Sequence, residues 1–473
     1  MSGFGRIIAT VNVKDPWTAA SEAEAAIAAG ADRAEIRIDA LSAPRACEDL
    51  LGLAGKIPLL FSGNRAGLSP AEAVILREAS AWGAWIDVPF VEGLDIPRWA
   101  DRSRTVLSFH GIIADRVHAA GILSSMKGRA ALVKLVPPAG SISEAARFLS
   151  WMKGLREICP LIAFPSGNES VAARILALSR GSESVYAASG GSEPAAAGQI
   201  RLSELLSYRP ARITENTTLY GLLGHPLQFS LSPGLWNGWF EELGMDARYL
   251  LFPASDISNA LEAFTLLGIS GFGVTAPHKE GIIPSMGRLS NLSARCRAVN
   301  TVILGRGASL GTNTDVFGIR RSLGFLKRGS HVLVLGNGGA ARAAVFALRR
   351  SHRVVVSARS PDKGRALAEE MGVAFAGWDL RRELAYDLMI NATSCGSDGK
   401  TNPWDEGIPL PAASIMDMVT SDKETPLEKK ARDEGLAVVS GREMLCGQAR
   451  LQFRILTGIK PPKGCSLFND GLV

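Results

Sequence analysis

Short apolar runs alternate with Ala-rich stretches along the first 205 residues, and few folds accept that pattern. The runs fall at 7–11, 34–38, 58–61, 84–88, 105–109, 132–136, 161–164 and 185–187. Runs this short and this apolar suit strands buried on both faces. The stretches between them, 19–29 and 142–156 among them, repeat apolar residues at helical spacing. Eight β/α units over this length predict an α/β domain closed into a (β/α)8 TIM barrel, with an open doubly wound sheet as the alternative.

A chain of 473 residues exceeds one ordinary domain and implies two or three. The polar stretch 208–218, with Pro210, reads as a linker. A second α/β region opens with a strand at 219–223 and continues to about 318. A third unit opens at 332–335 and runs to about 439. A last helix at 444–456 either caps the chain or packs back on the second region.

The net charge of +6 is spread out, with no Lys/Arg run interleaved with aromatics, so no nucleic-acid partner is expected. A basic balance suits anionic small molecules or solvated basic faces equally. The cysteines at 47, 159, 296, 395, 446 and 465 form no Cys-x-x-Cys or Cys/His cluster. Neither a disulfide framework nor a metal site is expected. No charge-free apolar stretch of 18 residues occurs, and the first residues lack the apolar core of a signal peptide. No membrane partner is expected and the location reads as cytoplasmic, while the oligomeric state stays open.

The segment His331-Val-Leu-Val-Leu-Gly336-Asn337-Gly338-Gly339-Ala340-Ala341-Arg342 is a buried strand, a Gly-rich turn and a helix start. Glycines permit the tight turn and let backbone N–H groups approach a pyrophosphate at the positive end of a helix. The next strand, 353–357, ends in Ala358-Arg359-Ser360, where an NAD site usually has Asp or Glu for the ribose 2′-hydroxyl. A guanidinium matches a 2′-phosphate instead, so NADP is the expected cofactor.

Four motifs precede that loop: Ser230-Leu-Ser232-Pro233, Val274-Thr275-Ala-Pro277-His-Lys279, Ala298-Val-Asn300-Thr301 and Asn313-Thr-Asp315. With Asn391-Ala-Thr393-Ser394 and Gln448, they make residues 217–473 resemble the shikimate dehydrogenase family. The resemblance implies two α/β domains around a cleft and reversible hydride transfer between NADPH and 3-dehydroshikimate. It implies a substrate domain at 217–322, with 441–473 returning to it, and a Rossmann-type NADP domain at 323–440. Reducing a ketone puts charge and then a proton on its oxygen, which a Lys–Asp pair can serve. By resemblance Lys279 and Asp315 are that pair. Ser230 and Ser232 hold the carboxylate, and Thr275, Asn300 and Gln448 hold ring hydroxyls. Gly336 to Ala340, Ala358 to Ser360, Asn391 and Thr393 hold the nucleotide. The chain departs from the family at Gly273, where Asn is frequent, and at Thr420, where a Tyr that helps bind the carboxylate is usual.

Lys134 lies in a strand otherwise made of core residues. It is either a snorkelling edge residue or a desolvated amine able to form a Schiff base. Glu35, Arg37 and His110 also fall near strand C-termini, which converge on one face of a barrel. Ala34-Glu35-Ile-Arg37-Ile-Asp39, Ser108-Phe-His110, Val133-Lys134-Leu135, Ala173-Arg174 and Ala197-Gly-Gln199 make residues 1–207 resemble type I 3-dehydroquinate dehydratase. The whole chain resembles the fused dehydratase–dehydrogenase of plants and some bacteria. That implies an iminium on Lys134, proton transfers by His110, a binding role for Glu35, and Arg37, Arg65, Arg174 and Gln199 around the substrate. No metal is needed. The loop 61–67 lacks the family's Glu that supports the catalytic His, and Arg65 stands one position displaced. Two other readings compete: a quinate/shikimate dehydrogenase with a weakened barrel, and a metabolite-sensing regulator. A regulator would have lost groups such as Lys134, His110, Lys279 and Asp315, all of which are present.

Overall fold

Three sheets carry the fold of this computed structural model, which describes residues 4–41, 48–53, 55–227, 230–305, 307–383, 385–405 and 407–464. Two compact units divide the chain: Met1–Thr217 with Phe252–Gly268, and Thr218–Leu251 with Ile269–Val473.

In the first unit eight strands pair in parallel: β1 (Ile7–Val11), β2 (Arg33–Arg37), β3 (Leu59–Ser62), β4 (Trp85–Pro89), β5 (Thr105–Phe109), β6 (Leu132–Leu135), β7 (Leu161–Ala163) and β8 (Val185–Ala188). Their order is β7-β6-β5-β4-β3-β2-β1-β8, so β8 returns to β1 and the sheet curls into a nearly closed barrel. Each predicted run contains one strand, to within two residues at each end. Between β7 and β8 no regular ladder forms among the described residues. The Glu183 N–H donates to Leu161 O at 2.9 Å, and the Ser182 hydroxyl takes the Ala163 N–H at 2.9 Å, standing in for a strand carbonyl. At the strand N-termini, the Arg33 guanidinium lies 4.9 Å from the Phe4 ring and 5.6 Å from the Trp85 ring, filling that end with cation–π contacts. The helices start on chemical signals in the sequence. Asp15 caps Pro16–Ala28 through the Thr18 N–H, and Ser141 caps Ile142–Leu155 through the Glu144 N–H. The linker is packed rather than free: Tyr208, Pro210 and Ile213 are buried around a short 3₁₀ turn at Pro210–Arg212.

The second unit holds two sheets. One runs in the order β10 (Ala247–Pro253), β9 (Thr218–Gly224), β11 (Ile269–Val274), β13 (Thr301–Gly305), β14 (Ala308–Thr312) and β12 (Arg288–Leu289), with β13 antiparallel to both its neighbours. The other is parallel: β17 (Ala374–Ala376), β16 (Arg353–Ser357), β15 (His331–Leu335), β18 (Leu388–Asn391), β19 (Ser414–Asp417) and β20 (Ala437–Val439). Numbered within this sheet that order is 3-2-1-4-5-6, the Rossmann arrangement, with its switch point beside β15. The last helix, Gly441–Thr457, packs back on the first of these sheets. Phe453 meets Trp236, Trp239 and Phe240 at ring distances of 5.0 to 5.4 Å. Against the expectation of no bridge, Cys446 on this helix is disulfide-bonded. Among the described residues no helix is long and apolar enough to cross a membrane.

Candidate active sites

Strands buried on both faces should be apolar, so polar residues in β1 to β6 call for a reason. Thr10, Glu35, Arg37, Ser62, Asp87 and Lys134 are all buried, and they contact one another near the strand C-termini. The Lys134 Nζ donates to Asp87 Oδ2 at 2.5 Å and lies 3.8 Å from Glu35 Oε1. It also sits 4.6 Å from the centre of the Tyr186 ring. Glu35 accepts from Thr10 Oγ1 at 2.7 Å and from Ser62 Oγ at 3.0 Å, and Arg37 donates to Ser62 at 3.2 Å and to Asp39 at 2.7 Å. Burial alone would push the Glu35 carboxyl up. The charges of Lys134 and Arg37 and the Thr10 hydrogen bond outweigh it and hold Glu35 below its usual range.

Around this core the positive groups are short of acid. Arg65 donates to Ala195 O at 3.2 Å, and Gln199 is fixed between the Ala195 N–H and Thr10 Oγ1. Among the described residues, the Nε atoms of Arg65 and Arg174 are buried without a hydrogen-bond partner. Burial and the Arg65 charge bring the Arg174 guanidinium down to about 9. Two desolvated guanidiniums that repel each other favour an anion between or beside them. His110 follows β5. Burial pushes its imidazole down to about 2, and the charges of Lys134 and Arg65 act the same way, so it is neutral at pH 7. The structure thus brings together every barrel residue expected from sequence. It adds Asp87, whose signal was available: an acidic residue within the apolar run of β4 has the same oddity as Lys134 in β6.

In the second unit a cavity of about 680 Å³ is lined by Ser230, Ser232, Thr275, Lys279, Asn300, Asp315 and Gln448 from one side. The loop Gly336 to Ala340, with Ala358, Arg359, Ser360, Lys363 and Thr393, lines the other. The Lys279 Nζ donates to Asp315 Oδ2 at 2.6 Å, and the Asn300 amide donates to Asp315 Oδ1 at 2.7 Å. Asp315 opens the helix Asp315–Ser322, where a carboxylate is favoured by the free N–H groups. The Thr314 hydroxyl donates to Gln448 Oε1 at 2.9 Å, and Gln452, one turn further along the same helix, donates to Thr301 Oγ1 at 2.8 Å. Thr314 and Gln452 were not anticipated, although the four-residue step from Gln448 to Gln452 puts both on one helix face.

Asn391 is the exception. It is fully buried and does not line the cavity. Its amide donates to Asp417 Oδ1 at 2.9 Å and Cys395 O at 3.0 Å, and its oxygen accepts the Thr393 N–H at 3.1 Å. The side chain shapes the turn at 391–395 and has no atom left for a nucleotide. The glycine loop fits the expected phosphate cradle. Gly336 has φ +116°, and a Cβ there would stand 2.9 Å from Ala392 O. A Cβ at Gly339 would stand 2.6 Å from the Cβ of Lys279. Beside this contact, Arg342 Nε pairs with Glu280 Oε2 at 2.7 Å.

Both halves of the chain resemble known proteins. A family model for the type I 3-dehydroquinase matches residues 7–211. Models for the shikimate dehydrogenase substrate binding domain and the shikimate 5′-dehydrogenase C-terminal domain match 222–302 and 441–465. The shikimate dehydrogenase (NADP(+)) of Citrifermentans bemidjiense is 40% identical over 276 residues, covering 54% of this chain and 94% of that protein. Its counterpart in Thermococcus kodakarensis is 38% identical over 262 residues, 52% of this chain and 94% of that protein. The crystal structure of shikimate dehydrogenase from Aquifex aeolicus aligns with a TM-score of 0.48 at 31% identity, covering 53% of this chain and 96% of that one. The chain belongs to the shikimate dehydrogenase family, and it carries a type I 3-dehydroquinase domain ahead of its dehydrogenase domains.

Proposed function

We propose that this chain converts 3-dehydroquinate to 3-dehydroshikimate in its barrel and reduces that product to shikimate with NADPH in its second unit. In the barrel, the Lys134 amine adds to the substrate ketone and water leaves, giving an iminium. Asp87 and Glu35 flank the Lys134 nitrogen and take up its proton when the amine attacks. The iminium acidifies the adjacent C–H bond; neutral His110 takes that proton and returns it to the departing hydroxyl. Hydrolysis of the iminium frees Lys134, and one water is lost overall. Arg65 and Arg174 hold the substrate carboxylate, Arg37 and Gln199 its hydroxyls.

In the second unit, Gly336 to Ala340, Thr393 and Arg359 would hold the coenzyme, and Arg359 and Lys363 would be the cations available to its 2′-phosphate. The chemistry it would supply when bound is hydride transfer. The Lys279 ammonium steadies the developing oxyanion and delivers its proton, and Asp315, 2.6 Å away, keeps that ammonium aimed. Ser230 and Ser232 orient the carboxylate, and Thr275, Asn300 and Gln448 orient the ring. The observation that carries this reading is the Lys279–Asp315–Asn300 network sharing one cavity wall to wall with the glycine loop.

A coupled assay tests both steps: 3-dehydroquinate with NADPH should give shikimate with 3-dehydroshikimate as the intermediate. Quinate oxidation with no dehydratase activity would sink the proposal. Arg359→Ser should raise KM for NADPH about tenfold, the loss of one charge-assisted contact at an exposed site. It should leave the weaker NADH-linked rate nearly unchanged. Equal losses with both coenzymes would remove Arg359 from 2′-phosphate recognition.

A further inference from the structure

One buried polar atom on the wall of the dehydrogenase cavity has no hydrogen-bond partner among the described residues: the Tyr249 hydroxyl. The residue is fully out of solvent at 0% exposure. It is also tightly held. Its ring stacks on Trp236 with centres 4.6 Å apart. Its backbone is clamped by Asn237, which accepts the Tyr249 N–H at 2.8 Å and donates to its carbonyl at 3.1 Å. The hydroxyl therefore has a fixed position. That position lies over Gly273, where a Cβ would stand 2.8 Å from the Tyr249 oxygen and 3.2 Å from Gln452 Nε2. The Gly273 backbone is close enough to act on the phenol, yet no bond of acceptable geometry forms between them. Gln452 Nε2 is already committed to Asn300 O and Thr301 Oγ1. The phenol is the group left over.

A buried hydroxyl with nothing to bond to is a standing cost unless something arrives to satisfy it. We propose that Tyr249 is a substrate-reading residue of the dehydrogenase, its hydroxyl pairing with an oxygen of the polyhydroxylated ring acid docked above Gly273. Gly273 belongs to the same device, because any side chain there would collide with the phenol. The inference rests on the dehydrogenase reading of this cavity and adds a specificity contact that it did not contain. A bound water is the competing occupant. A water would leave the ring substrate's affinity indifferent to the phenol.

The test uses the full chain. Tyr249→Phe keeps the ring stacked on Trp236 and removes only the oxygen. With shikimate and NADP⁺, KM for shikimate should rise about tenfold, the value of one neutral hydrogen bond made in a buried site. KM for NADP⁺ should stay within about twofold, because the phenol oxygen lies over Gly273 and not at a residue expected to hold the nucleotide. Gly273→Ala adds a second readout: it should raise KM for shikimate in the parent and do so less in the Tyr249→Phe background, where the collision is relieved. Unchanged KM for shikimate in Tyr249→Phe would overturn the inference and leave the dehydrogenase reading standing. Parallel losses for shikimate and NADP⁺ would overturn it too, as the mark of general distortion. A parent chain inert toward shikimate would bring down the dehydrogenase reading itself, and the inference with it.

Discussion

Lys134→Ala is expected to slow formation of 3-dehydroshikimate from 3-dehydroquinate by a factor on the order of 10⁴ or more, the scale seen when a covalent catalyst is removed. The other barrel groups cannot replace it, since no other amine stands inside the barrel among the residues that gather at Glu35 and Asp87. Borohydride added during turnover should trap substrate on the parent and fail on the variant; equal labelling of both would take Lys134 out of the mechanism. Shikimate oxidation should be unaffected. The same substitution reaches stability. It leaves Glu35 and Asp87 buried without the cation that lies 3.8 and 2.5 Å from them. Removing one partner of a buried pair costs about 3–5 kcal/mol at most. The sign with pH follows from Glu35. Its folded carboxyl is held low in the parent, so its contribution is present above the ordinary carboxylate range and is lost as pH falls through the folded value. Without Lys134 that contribution shrinks, and the deficit of the variant in thermal melts should be greater at pH 7 than at pH 4.

The second large effect is expected at Asp315. Asp315→Asn should reduce kcat for 3-dehydroshikimate reduction by about 10³-fold, within the range for loss of positioned proton transfer. The amide keeps the shape and a hydrogen bond from Asn300. It loses the charge that holds the Lys279 ammonium at 2.6 Å. Lys279→Met should fall by a similar factor, and the double variant should be little worse than either single one, because two groups acting as a unit are not additive. Multiplying losses would mean that they act in separate steps. A fall of less than threefold in Asp315→Asn would remove the carboxylate from proton delivery.

How much of this was legible in the residues depends on what each feature asks of the chain. The barrel strands were readable because a parallel strand buried on both faces must be apolar over four or five residues, and runs such as 105–109 meet that directly. The glycine loop was readable because only glycine serves at Gly336, whose backbone is left-handed. Lys134 stood out as a charge in an apolar strand. Asp87 carries the same mark, but no neighbouring motif points to it. Tyr249 could not be found from sequence at all. A tyrosine in β10 looks like core, and only the fold shows its oxygen without a partner above Gly273. Asn391 failed for the opposite reason: its neighbours Thr393 and Ser394 reach the cavity, while its own amide is spent on Asp417. The packed linker shows the same limit, since apolar side chains as sparse as Tyr208 and Ile213 read as loop until their burial is seen.

The absent side chain at Gly339 also bears on redesign. Coenzyme specificity is often altered by transplanting a phosphate loop from another dehydrogenase as though it were an exchangeable cassette. Here the loop backbone at 339 is pressed so closely against Lys279 that a methyl group would meet the lysine's own Cβ at 2.6 Å. A transplanted loop with alanine at this place would dislodge the proton donor while aiming only to change the nucleotide. Any recoding of the coenzyme in this scaffold should therefore be made at Arg359 and Lys363 and leave the glycine as it stands.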